Sequence, residues 1–177
     1  MKNILPTVLS AMIMLFLLSA PAMAQDEGTL NDAKAHFFIG RSYFLKREFD
    51  KAVEELGIYK NIMKTLPKMD EKAKKLYIND LFYLSEVYFS LKKYPEAREE
   101  LEEILRLNPK EPDAYYNLGV YYYIYEHSRS KAYSNFKKAI DINPSSEAAK
   151  SANYAIEFIR SNPDSRFAPD FSFIDRE

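Results

Sequence analysis

The chain has 177 residues and a formal net charge of −1, from 25 Lys and Arg against 26 Asp and Glu. Near-neutrality removes the electrostatic case for nucleic acid, which demands a basic face, and the absence of cysteine excludes a disulfide framework or a lipid-modified bacterial lipoprotein. Only four glycines occur, and apolar residues recur at helical spacing, which points to an all-α protein.

Residues 1–24 read as a secretory signal peptide. Lys2 is the charged start, Val8 to Leu18 the apolar run, and Ala22-Met23-Ala24 the small-x-small ending. The alternative is an uncleaved membrane anchor, because apolar residues dominate from Ile4 to Ala24, about the length a span needs. Pro6, Ser10, Ser19 and Pro21 favour cleavage, which would leave Gln25 first and residues 25–32 as a linker. An exported, cysteine-free chain of this kind points to a bacterial periplasm, with extracellular or membrane-anchored locations as alternatives. Membrane contact would then come only through an uncleaved signal.

From residue 33 one pattern appears three times. Ile39-Gly40-x2-Tyr43 is continued by Phe49, Ala52, Leu56, Tyr59 and Ile62. Leu84-Ser85-x2-Tyr88 is continued by Tyr94, Ala97, Leu101, Ile104, Leu107 and Pro109, and Leu118-Gly119-x2-Tyr122 by Ala132, Phe136, Ala139, Ile142 and Pro144. Ser85 and Gly119 are 34 residues apart, the period of a stacked helix–turn–helix array. Gly40, Ser85 and Gly119 let two helices approach closely, and the tyrosine one turn later fills the space beside that contact. Asn108-Pro109 and Asn143-Pro144 end second helices, since proline donates no amide and drives the preceding residue out of helical geometry.

These residues resemble the tetratricopeptide repeat (TPR) family over about residues 33–144, most closely in the middle copy. The resemblance implies an all-α fold, a right-handed TPR-like superhelix (α-solenoid) of three helix pairs closed by a C-terminal capping helix. The expected domain covers 33–163, with repeats at about 33–66, 78–111 and 112–146. Gly40 and Ser85 are 45 residues apart, eleven beyond the period, so an inserted helical extension is expected over 67–77 and a long helix starting near Asp70. The third copy carries one extra residue in its inner turn, at Glu126-His127-Ser128-Arg129-Ser130. Ser145 or Ser146 can cap a last helix over 146–161, whose stripe is Ala148, Ala152, Ala155, Ile156 and Ile159. The tail, 164–177, holds Phe167, Phe171, Phe173 and Ile174, which are expected to dock somewhere.

In TPR proteins the first helices line a concave groove. Carried over, that face holds Phe37, Arg41 and Phe44 in the first copy, Phe82, Glu86 and Phe89 in the second, and Tyr116, Val120 and Tyr123 in the third. Each copy thus sets two aromatic rings seven residues apart, on one side of its helix. The groove fits a polypeptide with apolar or aromatic anchors. It suits poorly the family mode in which Lys, Arg and Asn clamp a terminal carboxylate, because only Arg41 could contribute, with Lys34 and Asn79 nearer the rim. The bland reading is that these rings pack between repeats.

Catalysis finds no support in the sequence. His36 falls on the buried stripe of the first repeat, where it reads as a packing residue, and His127 lies in the distorted turn. Phosphate loops, metal-ligand spacings and a nucleophile elbow are all missing, so no enzyme activity, cofactor or metal is expected. The expected function is a non-enzymatic scaffold or adaptor of the cell envelope that binds a partner polypeptide. The alternative is a self-assembling structural protein whose tail fills the groove in cis or in a homodimer.

Overall fold

The computed structural model describes residues 28–162, and every regular element among them is an α-helix. Residues 1–24, expected as a signal peptide, and the tail 164–177 lie outside the described residues. No described helix is long and apolar enough to cross a membrane. The chain divides into two compact units, the first ending at Asp70 and the second beginning at Glu71.

The first unit is a helical hairpin of α1 (28–45) and α2 (Phe49–Thr65). Ala33, Ala52, Leu56, Tyr59 and Met63 are fully buried, with Phe37 nearly so. Gly40 makes the close approach, since a Cβ there would stand 2.7 Å from Leu56 Cγ. Residues 28–32, expected as linker, already belong to α1. Nothing between Gly28 and Ala33 breaks a helix, and burying Ala33 rewards extending it backwards. His36 also departs from expectation. It is half-buried, and its Nδ1 lies 2.7 Å from Glu55 Oε2 on α2, so it tethers the two helices at their edge.

The second unit runs α3 (Glu71–Ser90), α4 (Tyr94–Leu107), α5 (Pro112–Ile124), α6 (Arg129–Ile142) and α7 (Glu147–Ser161). Of the extension expected over 67–77, residues 67–70 are not helical. Pro67 cannot continue α2, and α3 then runs 20 residues from Glu71. Each helix packs on the next in sequence, and α5 also packs on α7, the nearest-neighbour arrangement of a solenoid. The residue opposing Gly119 is Phe136, whose ring would stand 2.5 Å from an added Cβ. Around that contact Tyr123, Ala132, Phe136, Ala139, Ala152, Ala155, Ile156 and Ile159 form one core shared by α5, α6 and α7.

The turns inside the hairpins share a design. Arg47, Lys92 and His127 are each left-handed, at φ 60°, 59° and 50°. In the first two, the amides of Glu48 and Lys93 donate to the carbonyls of Tyr43 and Tyr88, and those of Arg47 and Lys92 to Phe44 and Phe89. This is the Schellman closure, which satisfies the orphan carbonyls of a helix end. The third turn spans one residue more, with the Ser128 amide donating to the Tyr122 carbonyl. At the start of α7, the Ser146 hydroxyl accepts from the Ala149 amide. At its end, the Arg129 guanidinium donates to the carbonyls of Ile159 and Asn162, placing a cation where the helix dipole favours one.

Candidate interaction surface

The nine residues expected to line a groove divide by burial. On α3, Phe82, Glu86 and Phe89 are all half-buried, at intervals of four and three, so they share one face of the helix. Phe89 leans on Tyr94 of α4, their ring centroids 6.1 Å apart. On α5, Tyr116 and Val120 are half-buried and rest against the core of α5, α6 and α7, with Tyr116 5.7 Å from the Phe136 ring. Tyr123 goes further in and is only 6% exposed, within that core. On α1, Arg41 is exposed, Phe44 is half-buried beside Phe49, and Phe37 is 4% exposed against Tyr59.

The physical reason for this division is local. Phe37 faces Tyr59 of α2, and Tyr123 lies in the core shared by α5, α6 and α7, so neighbouring helices cover both. Burial of such a ring contributes about 1.5–3 kcal/mol, so these two residues hold the fold. Phe82, Glu86, Phe89, Tyr116 and Val120 keep part of their surface in water and can contact a ligand.

Charge on these faces is sparse. Glu111, the residue before α5, is half-buried, and desolvation followed by the nearby Asp113 raises its carboxyl above the usual range; the Asn108 amide donating to it, at 3.0 Å, offsets this in part. Near the third inner turn, a ladder of rings runs from Phe89 to Tyr94, Tyr125, Tyr121 and Tyr122, each step between 5.1 and 6.1 Å. Arg98 sits over Tyr121 and Lys131 over Tyr122, and both cations approach Glu126. Sequence reasoning missed this ladder because its members belong to three helices. The run Tyr121-Tyr122 followed by Tyr125 was its one local sign. Among the described residues, no three His, Asp or Glu side chains converge as a metal site would require.

Comparison with known proteins places these hairpins. One family model, described as TPR repeat, matches residues 86–123, and another, tetratricopeptide repeat, matches residues 112–146. The chain is 30% identical over 111 residues to heat shock protein STI1 of Saccharomyces cerevisiae, which is 63% of this chain but 17% of that protein's length. Among solved structures it resembles the C-terminal TPR-containing domain of an FK506-binding protein of Plasmodium falciparum, with a TM-score of 0.63 and 22% identity. That likeness covers 79% of this chain and 96% of the other. It also resembles the first TPR of Spaghetti (RPAP3) bound to the HSP90 peptide SRMEEVD, with a TM-score of 0.57 and 17% identity, over 76% and 95% of the two chains. The fold is therefore a TPR-like α-solenoid, and the hairpins spanning residues 86–146 are tetratricopeptide repeats.

Proposed function

We propose that this chain is a non-enzymatic interaction module of the cell envelope that holds a partner polypeptide against the first helices of its repeats. The observation that carries the reading is the shared face of Phe82, Glu86 and Phe89 on α3, with Tyr116 and Val120 at matching repeat positions of α5. Arg41 and Phe44 hold the corresponding positions on α1. Half-buried rings of this kind are already ordered by packing, so a ligand that covers them loses little extra side-chain entropy.

The chemistry favours a segment with apolar or aromatic anchors and few acidic groups. SRMEEVD, the peptide in the Spaghetti complex, is acidic. On the second unit the named positions offer one anion, Glu86, and no cation, which leaves little attraction for such a peptide. Location in the envelope rests on the signal-like residues 1–24. N-terminal sequencing of the protein from an envelope fraction should begin at Gln25, and an intact Met1 would sink the cleavage reading.

The binding face is tested with a photoreactive residue at Phe82 and, separately, at Glu99, which is exposed on α4. The reading expects a crosslinked partner from position 82 and none from position 99. Equal crosslinking from both positions, or crosslinking from 99 alone, would contradict it.

A further inference from the structure

The face of α5 formed by Ala114, Leu118 and Tyr121 is buried, at 0, 4 and 2% exposure, and α4 packs against this helix. The matching repeat positions on α1 are Ala35, Ile39 and Ser42, and all three are exposed. Around them stand Phe38 at 58%, Ile39 at 44% and Leu45 at 68% exposure, the largest apolar groups α1 shows to solvent. Asn31, Ala35, Phe38, Ser42 and Leu45 alternate at spacings of four and three and are exposed throughout. That is the seam along which two helices pair.

We infer that α1 is a self-association face, joining two copies of this chain through an antiparallel α1–α1 pair about a two-fold axis near Ile39. Three properties of the sequence fit this occupant. An antiparallel register centred there sets Phe38 against Ser42 of the second copy and Leu45 against its Ala35, so each large side chain meets a small one. It brings the two Ile39 side chains together on the axis. It also sets Asp32, near the start of α1, beside Lys46 at the end of the other copy's helix, and both are exposed. Two Arg41 side chains face each other on the far edge, an exposed repulsion that salt screens. End-to-end growth is disfavoured, because α7 shows Lys150, Asn153, Glu157 and Arg160 to solvent beside Tyr154. A closed two-fold pair needs only one self-complementary face. One helix face is small beside the roughly 1,200 Å² of a stable interface, so the dimer dissociates on dilution.

The experiment is sedimentation of the full chain, purified from its host, over a hundredfold range of concentration. A mass rising from one chain to two is expected, and Phe38→Glu should hold the mass at one chain with unchanged helical circular dichroism. Asp32→Lys and Lys46→Asp should each weaken the dimer, and the two together should restore it, since the pair would be intermolecular. Because the chain has no cysteine, Ile39→Cys should give one disulfide-linked dimer on mild oxidation. A single-chain mass at the highest concentration would overturn the inference. So would a dimer that survives Phe38→Glu, or one that fails to crosslink at position 39 and disappears when 164–177 is deleted.

Discussion

Gly119 shows how one hydrogen in place of a methyl sets the distance between two helices. An added Cβ would lie 2.5 Å from two ring carbons of Phe136, a side chain with no exposed surface and so little freedom to retreat. Alanine is the better helix former by about 1 kcal/mol, while overpacking a filled core costs about 1–3 kcal/mol. Gly119→Ala should therefore destabilise the protein in urea unfolding despite the propensity gain, and a stabilised variant would refute the close-contact account. At Gly40 the opposing atoms are the flexible end of Leu56, with its backbone amide at 3.0 Å. The close contacts of Gly40 with Leu56 and of Gly119 with Phe136 were legible from spacing alone, as was the burial of Ser85 and Leu101. The burial of Phe37 and Tyr123 was not, because helical spacing fixes which side a ring takes and leaves open whether another helix covers it. His36 failed for a related reason: its partner, Glu55, lies 19 residues away on another helix.

Elements were read best where proline or an N-cap marks them. Leu66-Pro67 ends α2, Asn108-Pro109 and Asn143-Pro144 follow α4 and α6, and Ser146 caps α7. The extra residue of the third turn was visible as a count, and its consequence is the wider closure from Ser128 to Tyr122. Residues 28–32 carry no such mark, which is why they read as linker. At the α3–α4 pair, the burial pattern has a consequence for pH. Burial first, then Glu103, Glu100 and Asp80, raises the Tyr77 phenol well above its ordinary value, with Arg106 opposing. Burial, then Glu100, Glu96, Glu99 and Asp80, raises Tyr88. A phenol that keeps its proton more tightly when folded contributes stability that is complete below the unfolded value of about 10. That contribution is lost as pH rises through the higher folded value. Alkaline titration followed at 295 nm and by circular dichroism should show Tyr77 and Tyr88 losing their protons only as the helices unfold, and Tyr77→Phe should raise the midpoint pH of unfolding. Ionisation of every tyrosine with helicity intact would contradict this.

At the scale of the whole molecule, repetition is both the fold's economy and the source of its surface. Within the second unit each helix buries one face on its neighbours, and the same repeat positions return to the same side of α3 and α5. Phe82, Phe89, Tyr116 and Val120 hold such positions with part of their surface still in water. The central claim is that a partner polypeptide closes over them. Its most direct test is the affinity of the partner recovered by crosslinking at position 82, measured for the native chain and for Phe82→Ala with Val120→Ala. Neither side chain is fully buried, so helicity and melting should stay near those of the native chain. The account predicts that binding weakens at least about thirtyfold, as loss of two anchor contacts worth above about 1 kcal/mol each would require. Undiminished affinity in a folded double variant would contradict it.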